Sequence, residues 1–256
     1  MFIKISIYII MALIESILVI IVVVIVLVII YNIFFTKTDL LISGIVPTSP
    51  VTIIPAAKLQ SNTSSNFAWS VWFYVNEWNN GYGENKLLFY QADQPYSSST
   101  GLGIDPPNVL TYLDAYENNM TLNVNTYPTS STGSEYISNT FVIKNVDLQK
   151  WVNLIISVEG RTLDVYLHGK LVQTYVLPNT AYIKNENAYI GGNASQTFDG
   201  HVARLQYFAN SLNTQQAYNI YRDGINSNLV SDFFNKYKLK IQFLEYNTPV
   251  GSPLVL

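Results

Sequence analysis

Residues 151–177 read WVNLIISVEGRTLDVYLHGKLVQTYVL, and the period of this stretch decides the fold. Val152, Leu154, Ile156 and Val158 fall on one side of an extended chain, because successive side chains of a strand point to opposite faces. The alternation then resumes, with Leu163, Val165 and Leu167 on one face and Thr162, Asp164 and Tyr166 on the other. Glu159-Gly160 and His168-Gly169 suit two-residue turns in which glycine takes positive φ, so the spacing predicts a three-stranded antiparallel meander. His168, at a hairpin tip, reads first as a turn residue and second as a metal ligand or base.

Moving outward, the same period recurs. In FAWSVWFYV (67–75), Phe67, Trp69, Val71, Phe73 and Val75 share one face, and Ala68, Ser70, Trp72 and Tyr74 the other, as in a central strand of a half-buried sheet. KLLFYQ (86–91), VLTYLD (109–114) and MTLNVNTY (120–127) supply further strands, parted by polar loops such as DQPYSSSTG (93–101). In FDGHVARLQYFANSLNTQQAYNIYRDG (198–224) the pattern changes halfway. Val202, Arg204, Gln206 and Phe208 alternate with Ala203, Leu205 and Tyr207 at strand period. Asn213 then stands where it can cap a helix and receive Gln216 in return, with Leu212 and Ala217 as a hydrophobic staple. Ala217, Ile220 and Tyr221 form one apolar stripe, and Gly224 ends the helix. A short helix is therefore expected to lie on the sheet or its edge. Beyond it, SDFFNKYKLKIQFLEYNTPVG (231–251) reads as a short helix and a final strand.

The bulk composition narrows the function classes. The chain has 256 residues, 49% hydrophobic and 12% charged, with a formal net charge of -3. Its basic residues are scattered singly, without the stripe that a phosphate backbone demands, so nucleic acid is excluded as a partner. Cysteine is absent, which removes disulfides, thiolate zinc sites and a thiol nucleophile.

Residues 16–35, SILVIIVVVIVLVIIYNIFF, carry no charge, and about 20 apolar residues span a bilayer as a helix. A cleavable signal peptide would have an apolar core of about 7–15 residues followed by small residues, and Tyr31-Asn32-Ile33-Phe34-Phe35 supplies none. The expected organisation is a signal anchor at residues 1–35, with the lipid bilayer as partner of residues 16–35, then a stalk at 36–50 and a globular domain at 51–256. The positive-inside bias orients the C-terminal domain away from the cytosol. Asn62, Asn119 and Asn193 head N-glycosylation triplets that fit such an exterior.

FAWSVWFYV, LQKWVNLIISVEGRTLDVYLHGKLV, and AYIGG followed by FDGHVARLQYFANSLNTQQAYNIYRDG together resemble the concanavalin A-like lectin/glucanase superfamily, in particular its laminin-G-like or pentraxin-like domains. The resemblance covers most of residues 66–224. It implies an all-β fold: an antiparallel jelly-roll β-sandwich with a short C-terminal helix, here preceded by one transmembrane α-helix. The arrangement of anchor and sandwich is similar to virion and membrane proteins of large DNA viruses.

The superfamily includes glycoside hydrolases, whose retaining members need two carboxyl groups about 5–5.5 Å apart. Their Glu-x-Asp-x-Glu pattern does not occur here, and Asp114 and Glu117 would face opposite ways on a continuous strand. No enzyme activity is expected. Relatives often hold calcium at the sandwich rim with oxygen ligands, which makes calcium a candidate cofactor and Asp105, Asn108 and Asp114 the candidate ligands, with Asp93 and Glu117 nearby. Among the tryptophans, Trp69 and Trp151 read as core and Trp78, in EWNNGYG, as the surface candidate for stacking on a sugar ring. Two roles follow. The first is a membrane-anchored scaffold that docks on neighbouring structural proteins, such as a minor capsid component. The second is a lectin-like attachment protein that binds glycans; glycoside hydrolysis ranks third.

Overall fold

A computed structural model provides the structure, which describes residues 16–19, 21–27, 39–60, 63–95, 108–129, 133, 135–192, 196–225, 240–245 and 248–255. The chain divides into two compact units, Met1–Thr38 and Asp39–Leu256. In the first, residues 16–19 and 21–27 are helical with exposed side chains. No helix among the described residues is long and apolar enough to cross a membrane, and the rest of the expected 16–35 span lies outside them.

The second unit is a sandwich of two antiparallel six-stranded sheets. Sheet A runs β1 (Leu40–Pro47), β12 (Asp199–Phe208), β3 (Phe67–Glu77), β8 (Val152–Glu159), β9 (Thr162–Leu167) and β10 (Lys170–Val176). Sheet B runs β2 (Thr52–Ile54), β11 (Asn187–Ile190), β4 (Lys86–Ala92), β5 (Val109–Leu113), β6 (Met120–Thr126) and β7 (Ile137–Ile143). The expected all-β sandwich with its short C-terminal helix is thus present. A separate hairpin pairs β13 (Lys240–Glu245) with β14 (Thr248–Val255); the short helix expected before it falls outside the described residues.

The faces read from the sequence meet between the sheets. Phe67, Trp69, Val71, Phe73 and Val75 of β3, Val152, Leu154, Ile156 and Val158 of β8, and Leu163 and Val165 of β9 share one buried cluster. Trp69 bridges the layers, its ring 5.4 Å from Phe89 and 4.8 Å from Tyr207. Three expectations need correction. Leu40–Pro47, expected as stalk, pairs with β12; Gly44 and the terminal Pro47 disguise it as a linker, and its partner lies far away in sequence. The first hairpin turns at Gly160-Arg161, since Glu159 already pairs with Thr162. Glycine at positive φ in the first turn position matches the type II′ turn, whereas at His168-Gly169 both residues take positive φ, as type I′ requires. Trp151 lies half-buried against Tyr74, at 5.6 Å, and not in the core.

β12 departs from simple alternation. Its register with β3 shifts between Ala203 and Gln206, where Arg204 has φ 44°. This bulge changes the phase of the strand, so that Val202, Leu205 and Tyr207 all enter the core while Arg204 turns out of it. Fully buried, the Arg204 guanidinium donates to the carbonyls of Ile220 and Gly224 and to the Asp223 carboxylate at 3.2 Å. It thereby satisfies the carbonyl end of the helix Thr214–Arg222.

At the other end of that helix, Asn213 and Gln216 form the expected reciprocal capping box, with both bonds at 2.9 Å. Ser157 of β8 pins the approach by accepting from Leu212 N and donating to its carbonyl. Leu212, Ala217 and Ile220 bury against Ala68, Ile155 and Tyr166 on the outer face of sheet A. Full burial of a leucine or isoleucine side chain contributes about 1.5–3 kcal/mol. Tyr221 stacks on Trp72 at 5.6 Å, so the helix lies on the sheet, as expected, and closes the outer face of β3.

Candidate functional site

Three loops meet at one end of the sandwich: residues 78–85 between β3 and β4, 114–119 between β5 and β6, and 144–151 between β7 and β8. Lys86 ties the first two together. Its side chain is fully buried, and its ammonium donates to the carbonyls of Glu84, Asp114 and Ala115 at 3.3–3.4 Å. Burial lowers its pKa, with Asp114 opposing the shift. The same ammonium sits 4.4 Å from the ring centroid of Trp78, a cation–π contact that fixes the plane of the indole.

The second loop is braced from within. Asp114 Oδ1 accepts the backbone N–H groups of Tyr116 and Glu117 at 2.9 and 3.2 Å. Gly83 N donates to Ala115 O at 3.0 Å, and Tyr82 and Tyr116, 61% and 63% exposed, meet edge to face at 5.5 Å. The third loop is joined to the second through Asn118 and Asn119. Val146 N donates to Asn118 O at 2.7 Å and Asn118 Nδ2 donates back to Val146 O. Asn119 Oδ1 accepts from Asn145 N while its Nδ2 donates to Glu117 Oε2 at 2.6 Å.

Together these loops enclose an open cleft of about 380 Å³, lined by Trp78, Tyr116, Glu117, Asn118, Asn119 and Asn145, with Leu148. Trp78 and Leu148 also pack against the main core, so the apolar wall is held from behind. Aromatic rings beside amide and carboxylate groups are the set that receives the apolar face and the hydroxyls of a sugar. The sequence marks Trp78 as a sugar-stacking residue, while Glu117 and Asn119 stand out there only as a calcium-side oxygen and a glycosylation triplet. The companions of Trp78 come from distant loops, and no local signal joins them to it.

The other expected site residues fare differently. Asp105 lies outside the described residues. Both ends of the Asn108 side-chain amide are occupied by Lys184, whose N–H and carbonyl lie at 2.9 and 2.7 Å. Asn108 and Asp114 flank opposite ends of β5, about 20 Å apart at the rise of an extended strand. One calcium ion with ligands at about 2.3–2.6 Å cannot touch both. Asn108 and Asp114 therefore do not share one calcium site, and no group of three or more His, Asp or Glu residues able to hold a metal occurs among the described residues. Of the glycosylation triplets, Asn62 and Asn193 fall outside the described residues. Asn119 borders the cleft with its Nδ2, the atom a glycan would occupy, already bonded to Glu117. His168 holds a turn and contacts Asp147 at 3.3 Å, and its ring meets Tyr221 edge-on at 5.8 Å.

A family model for the concanavalin A-like lectin/glucanases superfamily matches residues 48–217. No curated protein matches the chain. Among solved structures, the binding domain of Botulinum neurotoxin DC in complex with SialylT is similar, with 10% identity and a TM-score of 0.50, covering 68% of this chain and 39% of that one. A tryptophan-to-alanine mutant of HCR D/C is similar as well, with 11% identity and a TM-score of 0.50, covering 70% of this chain and 43% of the other. The chain thus spans about two fifths of the length of these neighbours, and the likeness is one of fold. With two antiparallel sheets, a capped helix on the outer face and a family match over residues 48–217, the chain belongs to the concanavalin A-like lectin/glucanases superfamily.

Proposed function

We propose that this protein is a non-enzymatic, lectin-like binding protein whose cleft at Trp78 receives glycans, and that the uncharged run 16–35 anchors it in a membrane with the sandwich on the non-cytosolic side. One observation carries the proposal: an indole held flat by a buried ammonium, at the wall of a cleft that also offers amide and carboxylate groups. Membership of a lectin-containing superfamily supports it, as does a neighbour of the same fold that occurs in complex with SialylT. Binding rather than turnover is favoured because the sequence lacks the Glu-x-Asp-x-Glu run of the superfamily's hydrolases.

The test is a glycan panel presented to the full-length chain. Saturable binding that Trp78→Ala and Tyr116→Ala each weaken at least tenfold is expected, with the sandwich still folded by near-UV circular dichroism. Failure to bind any glycan, or binding indifferent to both substitutions, would remove the proposal. A docking role among structural proteins, including those of a virus particle, has a separate observation behind it. The edge strand β10 exposes Leu171, Val172 and Val176, and open edges invite pairing. Cross-linking in the native membrane that captures a stable neighbour through β10 would favour that role.

A further inference from the structure

We infer that the Trp78 cleft is selective for uncharged sugars and rejects glycans that carry a carboxylate; the inference rests on the glycan-binding reading above. It follows from the charges and the hydrogen-bonding atoms that line the cleft. Glu117 is exposed, and only its Oε2 is bonded, to Asn119. Its second oxygen therefore presents negative charge to the opening. The Lys86 ammonium gives an incoming ligand no contact, and the Asp114 carboxylate offsets its charge. Lys86 is fully buried behind the indole, with carbonyls of Glu84, Asp114 and Ala115 taking its donors. Lys150 is paired with Asp147 at 2.8 Å, and Lys144, next to Asn145 in the chain, does not line the cleft. No cationic side chain is among the lining residues.

The polar atoms left over point the same way. Asn118 uses its Nδ2 on Val146 O, which leaves its Oδ1 free. Asn145 contributes its backbone N–H to Asn119 and keeps its side-chain amide unbonded. Glu117 Oε1 and Asn118 Oδ1 are acceptors, while the Asn145 amide and the Tyr116 hydroxyl both accept and donate, so the one charge among the lining residues is the Glu117 carboxylate. Sugar hydroxyls can donate to such a set, whereas a ligand carboxylate brings only acceptors and a like charge. The sugar ring would lie on Trp78 with its C–H face, placing its hydroxyls toward these atoms.

Matched glycans that differ only in terminal sialic acid, before and after sialidase treatment, separate the possibilities when titrated against the full-length chain. The desialylated member should bind at least tenfold more tightly. Glu117→Gln keeps an acceptor for Asn119 but removes the charge, and should narrow that gap at least threefold; Trp78→Ala should abolish binding of both members. Equal or tighter Trp78-dependent binding of the sialylated member would overturn the selectivity and leave the cleft as a lectin site. An unchanged gap in Glu117→Gln would overturn the assignment of selectivity to this carboxylate. Binding of neither member, or binding that survives Trp78→Ala, would overturn the reading of the cleft and the selectivity with it.

Discussion

Trp72 and Trp78 leave the same run of chain, one within β3 and one just past its end, yet the fold treats them in opposite ways. Trp72 is 6% exposed and stacked under Tyr221 of the helix. Trp78 has a buried ammonium on one side and a cleft on the other. The helix that covers Trp72 is secured at both ends, by Asn213 and Gln216 at its start and by Arg204 at its finish. The loops around Trp78 are also braced, but their bonds run within and between the loops and leave the opening clear. An indole is therefore structural where a cooperative element seals it and available where only its back is held. The two regions should respond to substitution in different currencies, stability in the first and binding in the second.

The largest stability effect belongs to the sealed face. Trp72→Ala should lower unfolding free energy by about 4 kcal/mol, since it empties a buried aromatic site beneath the helix; urea denaturation of the full-length chain measures this. A loss below about 1 kcal/mol would mean that the helix is not closed on β3. Arg204→Met should cost about 3 kcal/mol, because the carbonyls of Ile220 and Gly224 lose a buried donor that methionine does not replace. Hydrogen exchange should localise that loss to residues 214–224, leaving the cleft loops protected as before.

Gly169→Ala should cost about 2 kcal/mol. The position has φ 69°, and a Cβ there would fall 2.7 Å from Tyr221 Cβ and 3.1 Å from Tyr218 Cα. Trp78→Ala, by contrast, should cost about 1 kcal/mol, the value for a partly buried apolar contact, while removing glycan binding. If its stability loss matched that of Trp72→Ala, the contrast between the two indoles would fail. The smallest effect concerns Asp147, which contacts His168 under the helix. The Lys150 hydrogen bond holds its carboxyl below the ordinary carboxylate range, with His168 adding to the shift. A depressed carboxyl stabilises the fold above its unfolded value, and the contribution is lost as pH falls through the folded value. Because the pair is largely exposed, Asp147→Asn should cost less than about 1 kcal/mol at neutral pH. In acid the difference from wild type should disappear, as paired thermal melts would show.

Local chemistry was the most legible part of the sequence. The meander at residues 151–177 and the inward face of β3 follow from a period of two, and the cap at Asn213 from residues that contact each other within one turn. β1 escaped notice because Gly44 and Pro47 weaken its pattern and its pairing with β12 is a long-range contact. The β12 bulge escaped for another reason: alternation of Val202, Arg204 and Gln206 looks regular until the helix end claims Arg204. The turn at Gly160-Arg161 was displaced by one residue because glycine can serve either central position of a hairpin turn. At the cleft, an aromatic residue in a polar loop marked Trp78. Glu117 was marked only as a carboxylate near the calcium candidates, and Lys86, Asn118 and Asn145 carry no mark of their own, since they gain meaning only when three loops converge.

The division between the two indoles is tested most directly by oxidative footprinting of the full-length chain with and without a saturating uncharged glycan. Trp78 should be protected by the ligand, together with Tyr116, while Trp72 stays at its low ligand-independent rate. Unchanged oxidation of Trp78 under saturating glycan, with protection appearing instead along β10 or nowhere, would contradict the assignment of the cleft as the binding site.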